Sequence, residues 1–141
     1  MESVILRNMP TDDSHSTAVV VGDDRGPALK EVSTTLRKAG FVVVTAATGR
    51  AALAQCRETH RQVDLAVIDT AATGIKAPEI EEQLHEMYPH IRMLFLSDEN
   101  PETIHEGDSP GHLRRVLRKP YRRSRLLGRV LEMMQPRALG A

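Results

Sequence analysis

The chain contains a single cysteine and no tryptophan, and each scarcity excludes a class of protein. Because Cys56 has no second cysteine to pair with, an internal disulfide is excluded, and we expect a reducing compartment, the cytoplasm. Aromatic residues make up only 3% of the chain, so the stacking platforms of single-stranded nucleic-acid binders are not expected. No apolar run approaches the roughly 20 residues that span a membrane, and we expect no membrane partner.

The chain also lacks net charge, since Lys plus Arg and Asp plus Glu each number 19. This balance argues against a dedicated nucleic-acid binder. A basic stretch runs from Arg114 to Arg125, and such patches can bind nucleic acid. We interpret it instead as a solvated face or a docking surface for an acidic partner, because the helix predicted after it keeps an apolar face. We therefore expect no nucleic-acid partner.

The most informative segment is Val63 to Gly74, which contains a short apolar run over residues 65–68. Such a run predicts a strand buried on both faces, which is typical of parallel sheets. The run ends on Asp69, and small, turn-prone residues follow. A carboxylate at the carboxyl end of a central parallel strand lies where open α/β sheets bind ligands. Asp69 is therefore a candidate functional residue, and its alternative role is that of a simple turn cap.

Strands and helices are predicted to alternate along the whole chain. The predicted strands are 17–22, 41–46, 65–69, 91–96 and 112–118. The predicted helices are 27–39, 49–58, 78–87 and 124–134, and any helix within the polar segment 98–110 is short. In the last helix the inward residues are expected to be Leu126, Leu127, Val130, Leu131 and Met134.

This alternation predicts one α/β domain, a doubly wound five-stranded parallel sheet with helices on both faces. Right-handed crossovers then place the carboxyl ends of all the strands at one edge of the sheet. We assign residues 1–16 to a flexible leader, 17–135 to the domain and 136–141 to a short tail.

Four of the predicted strands end in polar residues, which are Asp23 and Asp24, Asp69, Ser97 and Lys119. At one sheet edge they would gather three carboxylates, a hydroxyl and an ammonium. Carboxylates about 5 Å apart at an effective dielectric near 20 repel each other by roughly 3 kcal/mol per pair. Such a cluster calls for a divalent cation and a fixed ammonium, and its oxygen ligands suit Mg²⁺.

This pattern resembles the receiver domain of two-component response regulators over roughly residues 17–134. Five motifs in order carry the resemblance: Val-Val-Val-Gly-Asp-Asp (19–24), Val-Thr-Ala-Ala-Thr-Gly-Arg-Ala-Ala-Leu (44–53), Asp-Leu-Ala-Val-Ile-Asp (64–69), Leu-Phe-Leu-Ser (94–97) and Leu-Arg-Lys-Pro-Tyr (117–121). The ending Lys-Pro-Tyr-Arg-Arg-Ser-Arg-Leu is most similar to receivers of hybrid histidine kinases. The resemblance implies a flavodoxin-like, CheY-like fold.

The resemblance also implies a role for each polar residue at this edge. Asp69 would accept a phosphoryl group from a sensor histidine kinase or a histidine phosphotransfer protein. The Mg²⁺ ligands would be Asp23, Asp24, Asp69 and the main-chain carbonyl of Ala71. Lys119 would pair with one phosphoryl oxygen, and Ser97 would donate its hydroxyl to another. Such a domain is no enzyme beyond self-phosphorylation and autodephosphorylation, and its site works by positioning and charge neutralisation.

A switch is the second implication of the resemblance. Ser97 would move toward the phosphate and change the face formed by the family's fourth helix, fifth strand and fifth helix. That face is a candidate docking surface for a downstream target or for a homodimer. Because few residues follow the predicted last helix, we expect a stand-alone regulator that docks on proteins, relays phosphate or drains it from a kinase.

Three positions depart from the family's pattern. Val116 replaces the frequent aromatic residue three positions before Lys119, and Thr73 replaces the usual proline. Asp98 replaces the usual small residue after Ser97, and we expect its side chain to turn outward as a helix cap.

Two alternatives to a phosphoacceptor stay open. Asp98 and Val116 support a pseudo-receiver, a binding module that takes no phosphate. A haloacid-dehalogenase-type phosphatase also uses an aspartate at a strand end, but it carries a second acid two positions later. Ala71 occupies that position here, so the general acid is missing.

Overall fold

The computed structural model describes residues 15–72, 77–98, 107–109 and 112–135. Within these ranges strands and helices alternate up to residue 97, and two further strands then precede the last helix. The strands are β1 (Thr17–Val21), β2 (Val42–Ala46), β3 (Leu65–Asp69), β4 (Arg92–Ser97), β5 (Gly107–Ser109) and β6 (His112–Arg118). The helices are α1 (Ala28–Lys38), α2 (Gly49–Glu58), α3 (Ala77–Met87) and α4 (Arg123–Met134), with a 3-10 turn at Thr70–Ala72.

The strands form one sheet of six, in the order β2-β1-β3-β4-β6-β5. The first five strands of that order run parallel to one another, so the predicted doubly wound parallel sheet is confirmed. The additional strand β5 runs antiparallel to β6, where Gly107 pairs with Arg114 and Ser109 with His112. The sequence does not predict this strand. The expectation that any helix within residues 98–110 is short falls largely on residues outside those described.

Strand β3 lies in the middle of the sheet, between β1 and β4. Its residues are buried on both faces, and alternate side chains enter two separate cores. Leu65 and Val67 pack with residues of α1 and α4 on one face, whereas Ala66 and Ile68 pack with residues of α2 and α3 on the other. Helices therefore cover both faces, and β3 holds its last residue at the centre of one sheet edge.

The helix ends follow local sequence signals. Gly40 ends the turn after α1 with a φ of 102°, a left-handed conformation that glycine adopts without strain. Thr48 caps α2, because its side-chain oxygen accepts a hydrogen bond from the Ala51 N–H at 3.1 Å. Gly40 therefore marks the end of α1 before β2, and Thr48 marks the start of α2.

The buried face of α4 is formed by Leu126, Val130 and Met133. The expectation that Leu131 faces inward is wrong, since 47% of this residue is exposed. Successive helical residues differ by about 100° around the axis. With Val130 buried, Leu131 is therefore turned toward the side of the helix.

The predicted leader and tail are not tested by the structure. Residues 1–14 and 136–141 lie outside the described part of the chain, so the assignments 1–16 and 136–141 stay predictions. Among the residues that are described, no helix is both long enough and apolar enough to cross a membrane.

Candidate functional site

The site lies at the carboxyl end of β3, where Asp69 is the last residue of the strand and only 8% exposed. The neighbouring strands end at the same edge, since Val21 of β1 pairs with Ile68 and Leu96 of β4 pairs with Asp69. The residues that follow β1 and β4 therefore leave the sheet beside Asp69. This is the convergence that the sequence predicts for a parallel sheet.

Lys119 makes the central contact of the site. Its Nζ donates to both carboxylate oxygens of Asp69, each at 2.9 Å. The backbone N–H of Lys119 donates to the carbonyl of Ser97 at 2.8 Å, which holds the end of β6 beside β4. These contacts fix β3, β4 and the end of β6 to one another. Lys119 and Asp69 are 50 residues apart in the sequence.

The turn after β3 supplies a third hydrogen bond to the same carboxylate. The Ala71 N–H donates to Oδ1 of Asp69 at 3.0 Å, and the Thr70 hydroxyl donates to the carbonyl of Leu96 at 3.3 Å. Together with the contacts from Lys119, the hydrogen bond from Ala71 fixes the direction of the Asp69 side chain.

The acidic pair that follows β1, Asp23 and Asp24, differs from Asp69 in its surroundings. Asp24 is exposed, and Asp23 is bound by its neighbour Arg25, whose Nε lies 3.1 Å from Oδ1. These hydrogen bonds from Arg25 hold the pKa of the Asp23 carboxyl below its usual range. Within the described ranges, no group of three or more His, Cys, Asp or Glu side chains is arranged to hold a metal ion.

The chemistry of the donor set nevertheless suits Mg²⁺. Asp23, Asp24 and Asp69 supply hard carboxylate oxygens from the ends of two adjacent strands, β1 and β3. Magnesium prefers oxygen ligands and is commonly bound through one or two carboxylates together with phosphate oxygens and water. The acids therefore fit this ion in type.

The remaining predicted residues lie as follows. Ser97 ends β4 and is 1% exposed, whereas the next residue, Asp98, is exposed. The exposure of Asp98 agrees with the expected outward orientation. Val116 is buried in the core that contains Phe95, and Thr73 lies outside the described residues.

Tyr121 lies close enough to Asp69 for the two groups to interact electrostatically, although the sequence does not give Tyr121 a role. Burial raises the pKa of its hydroxyl, and the negative charge of Asp69 is the second cause of that rise. The signal in the sequence is its position two residues after Lys119, which keeps it near the same strand end. Tyr121 can therefore report on the charge of Asp69.

We expect the substitution Asp69→Asn to lower the pKa of Tyr121 in the metal-free protein. The reason is electrostatic, because a nearby carboxylate disfavours the phenolate anion and the neutral amide does not. The chain has two tyrosines, and the pKa of Tyr88 is raised to about 12. The measurement is an absorbance titration of tyrosinate in a Tyr88→Phe background, which leaves Tyr121 as the reporter. An unchanged titration curve would contradict the proximity of the two groups.

Solved structures similar to this chain are receiver domains. The chemotaxis response regulator CheY4 of Vibrio cholerae is 28% identical, with a TM-score of 0.72, and the match covers 85% of this chain and 99% of that chain. The BeF3-activated receiver domain of DrrB is 26% identical, with a TM-score of 0.70 and coverage of 86% and 99%. The receiver domain from the hybrid histidine kinase CckA, 24% identical with a TM-score of 0.66 and coverage of 85% and 100%, shares the fold.

A family comparison gives a match over most of the chain. Residues 19–131 match the response regulator receiver domain, whereas a search of curated proteins gives no significant match. The matched range contains all the polar residues described above, from the acidic pair after β1 to Lys119 after β6. Together with the confirmed CheY-like fold, this match shows that the chain belongs to the response regulator receiver domain family.

Proposed function

We propose that this chain is a response regulator that accepts a phosphoryl group on Asp69. The observation that carries the proposal is the contact between Lys119 and Asp69, in which one ammonium lies 2.9 Å from both oxygens of a buried carboxylate. A carboxylate can act as a nucleophile and form an acyl phosphate. The proposed donors are a sensor histidine kinase or a histidine phosphotransfer protein.

The proposed reaction is a direct transfer. One oxygen of Asp69 attacks the phosphorus of a phosphohistidine, the P–N bond breaks and the P–O bond of an aspartyl phosphate forms. The leaving imidazole takes up a proton. Lys119 remains beside the reacting oxygens and neutralises the charge that gathers on the phosphoryl group, while the Ser97 hydroxyl is proposed to donate to another phosphoryl oxygen.

Magnesium is part of the proposal. The residues proposed to hold it are Asp23, Asp24, Asp69 and the main-chain carbonyl of Ala71. When bound, the ion would neutralise negative charge on phosphoryl oxygens. The chain itself orients the Asp69 carboxylate through the Lys119 and Ala71 hydrogen bonds. Its burial limits the contact of this carboxylate with water.

The proposed output is protein docking in the cytoplasm, either on a downstream target or within a homodimer. Strand β6 and helix α4 correspond to two parts of the family's switch face, and the segment between β4 and β5 falls outside the described residues. Val116 occupies the usual aromatic position within β6 and is 3% exposed. Coupling from Ser97 to this face would therefore proceed through aliphatic packing.

The test of the proposal is activation by beryllofluoride, which mimics a phosphoryl group on aspartate. With Mg²⁺ present, we expect the backbone amide resonances of residues near Asp69, Ser97 and Lys119 to shift, because a new anion binds beside all three. The shifts should be absent without Mg²⁺ and in the variant Asp69→Asn. A folded wild-type protein that does not respond to beryllofluoride, acetyl phosphate or any phosphorylated donor would instead be a pseudo-receiver.

A further inference from the structure

Arg25 holds Asp23 through three hydrogen bonds. Its Nε lies 3.1 Å from Oδ1, its Nη2 lies 3.2 Å from Oδ2, and its backbone N–H lies 2.9 Å from Oδ1. Both carboxylate oxygens are therefore engaged by one residue in a forked geometry, which is the arrangement in which a planar guanidinium binds a carboxylate well. The pair lies at the surface, with side-chain exposures of 88% for Arg25 and 47% for Asp23.

This contact uses the oxygens that a metal ion would need. Lys119 also contacts both oxygens of Asp69, through its single ammonium nitrogen. Two of the three acids at the sheet edge are therefore already paired with a cation from the chain itself. The difference between them is chemical. Lys119 has a proposed role beside the phosphoryl group, whereas Arg25 must leave the oxygens of Asp23 before Mg²⁺ or its water ligands can take them.

We propose that Arg25 competes with Mg²⁺ for Asp23 and thereby sets the magnesium concentration at which the site fills. The inference rests on the proposed function, because it concerns the metal site of the same receiver. The guanidinium occupies both oxygens of Asp23, so Mg²⁺ can bind them only by displacing it.

The expected size of the effect follows from the exposure of the pair. An exposed ion pair is weak, but removing Arg25 also removes a like charge beside the entering cation. We expect Arg25→Gln to bind Mg²⁺ about threefold to tenfold more tightly than the wild type. Arg25→Lys keeps the positive charge but cannot form the two-nitrogen contact with both carboxylate oxygens. The dissociation constant of this variant for Mg²⁺ should therefore lie between those of the wild type and Arg25→Gln.

The matched control is Arg57→Gln. It removes the same charge from an exposed arginine in the last turn of α2, and that helix carries the chain back toward the opposite sheet edge over about 15 Å at the helical rise. That distance exceeds the screening length of roughly 8 Å at physiological salt. The control should therefore change the dissociation constant by less than about twofold.

The measurement is isothermal titration of the four metal-free proteins with MgCl₂, supported by the amide resonances of residues 23–25 and 69–71. Tighter binding by Arg25→Gln with an unchanged dissociation constant for Arg57→Gln supports the competition. Equal changes in the two glutamine variants, or wild-type affinity in Arg25→Gln, overturn the inference and leave the proposed function intact. Absence of Mg²⁺ binding in all four proteins overturns both the inference and the magnesium part of the proposed function.

Discussion

Asp69→Asn should abolish phosphorylation by acetyl phosphate in the presence of Mg²⁺, a loss of at least about a hundredfold in rate. An amide oxygen is a far weaker nucleophile than a carboxylate. Asparagine is otherwise close in shape, and its oxygen can still accept the hydrogen bond that the Ala71 N–H donates to Oδ1. The fold should therefore persist while the chemistry is lost. The measurement is the intact mass of the protein, in which one phosphoryl group appears in the wild type alone.

The control is Asp64→Asn at the other end of the same strand. Asp64 immediately precedes β3, and its carboxylate accepts a hydrogen bond from the Thr17 N–H at 3.1 Å. The substitution is chemically identical, but the site lies a strand's length away, so labelling should proceed as in the wild type. Wild-type labelling of Asp69→Asn would remove this residue from the mechanism. Continuous hydrolysis of a phosphate monoester, in place of stoichiometric labelling, would favour a phosphatase.

The sheet could be predicted because its determinants are local and repeated. The run over residues 65–68 is short, contains β-branched residues and is apolar on consecutive positions, as is typical of a strand buried on both faces. Asp69 follows directly, so the position of the proposed phosphoacceptor could be predicted together with the strand. Since parallel strands end at one edge, Ser97 and Lys119 could be placed beside Asp69 without knowledge of any side-chain conformation.

The details that escaped prediction depend on choices between nearly equal local states. Arg25 can reach solvent or Asp23, and only the three-dimensional turn after β1 shows that it binds Asp23. Leu131 continues an apolar pattern but falls beyond the stripe that contacts the sheet. Strand β5 has three residues, Gly-Asp-Ser, of low strand propensity. Its existence therefore depends on pairing with β6 and not on its own sequence.

Lys119→Ala should destabilise the metal-free protein by about 2 kcal/mol, because it leaves a largely buried carboxylate without its cation. Both groups are only partly accessible, with side-chain exposures of 25% for Lys119 and 12% for Asp69. The loss should therefore exceed that of a surface ion pair and stay below that of a fully buried one. The measurement is the free energy of unfolding from urea titrations. Lys30→Ala, an exposed lysine of α1, should change stability by less than about 0.5 kcal/mol.

A double-mutant cycle separates the ion pair from the lost packing of the lysine side chain. In an Asp69→Asn background the carboxylate that Lys119 contacts is absent, so Lys119→Ala should reduce the free energy of unfolding less than in the wild type, with a coupling energy of about 1 to 2 kcal/mol. Activation should be affected more severely than stability, because the ammonium that binds Asp69 is also the group proposed to meet the phosphoryl oxygen. Folded Lys119→Ala should therefore lose most of the amide shifts caused by beryllofluoride. Wild-type shifts in that variant, with no coupling in the cycle, would show that Lys119 neither stabilises Asp69 nor transmits its phosphorylation.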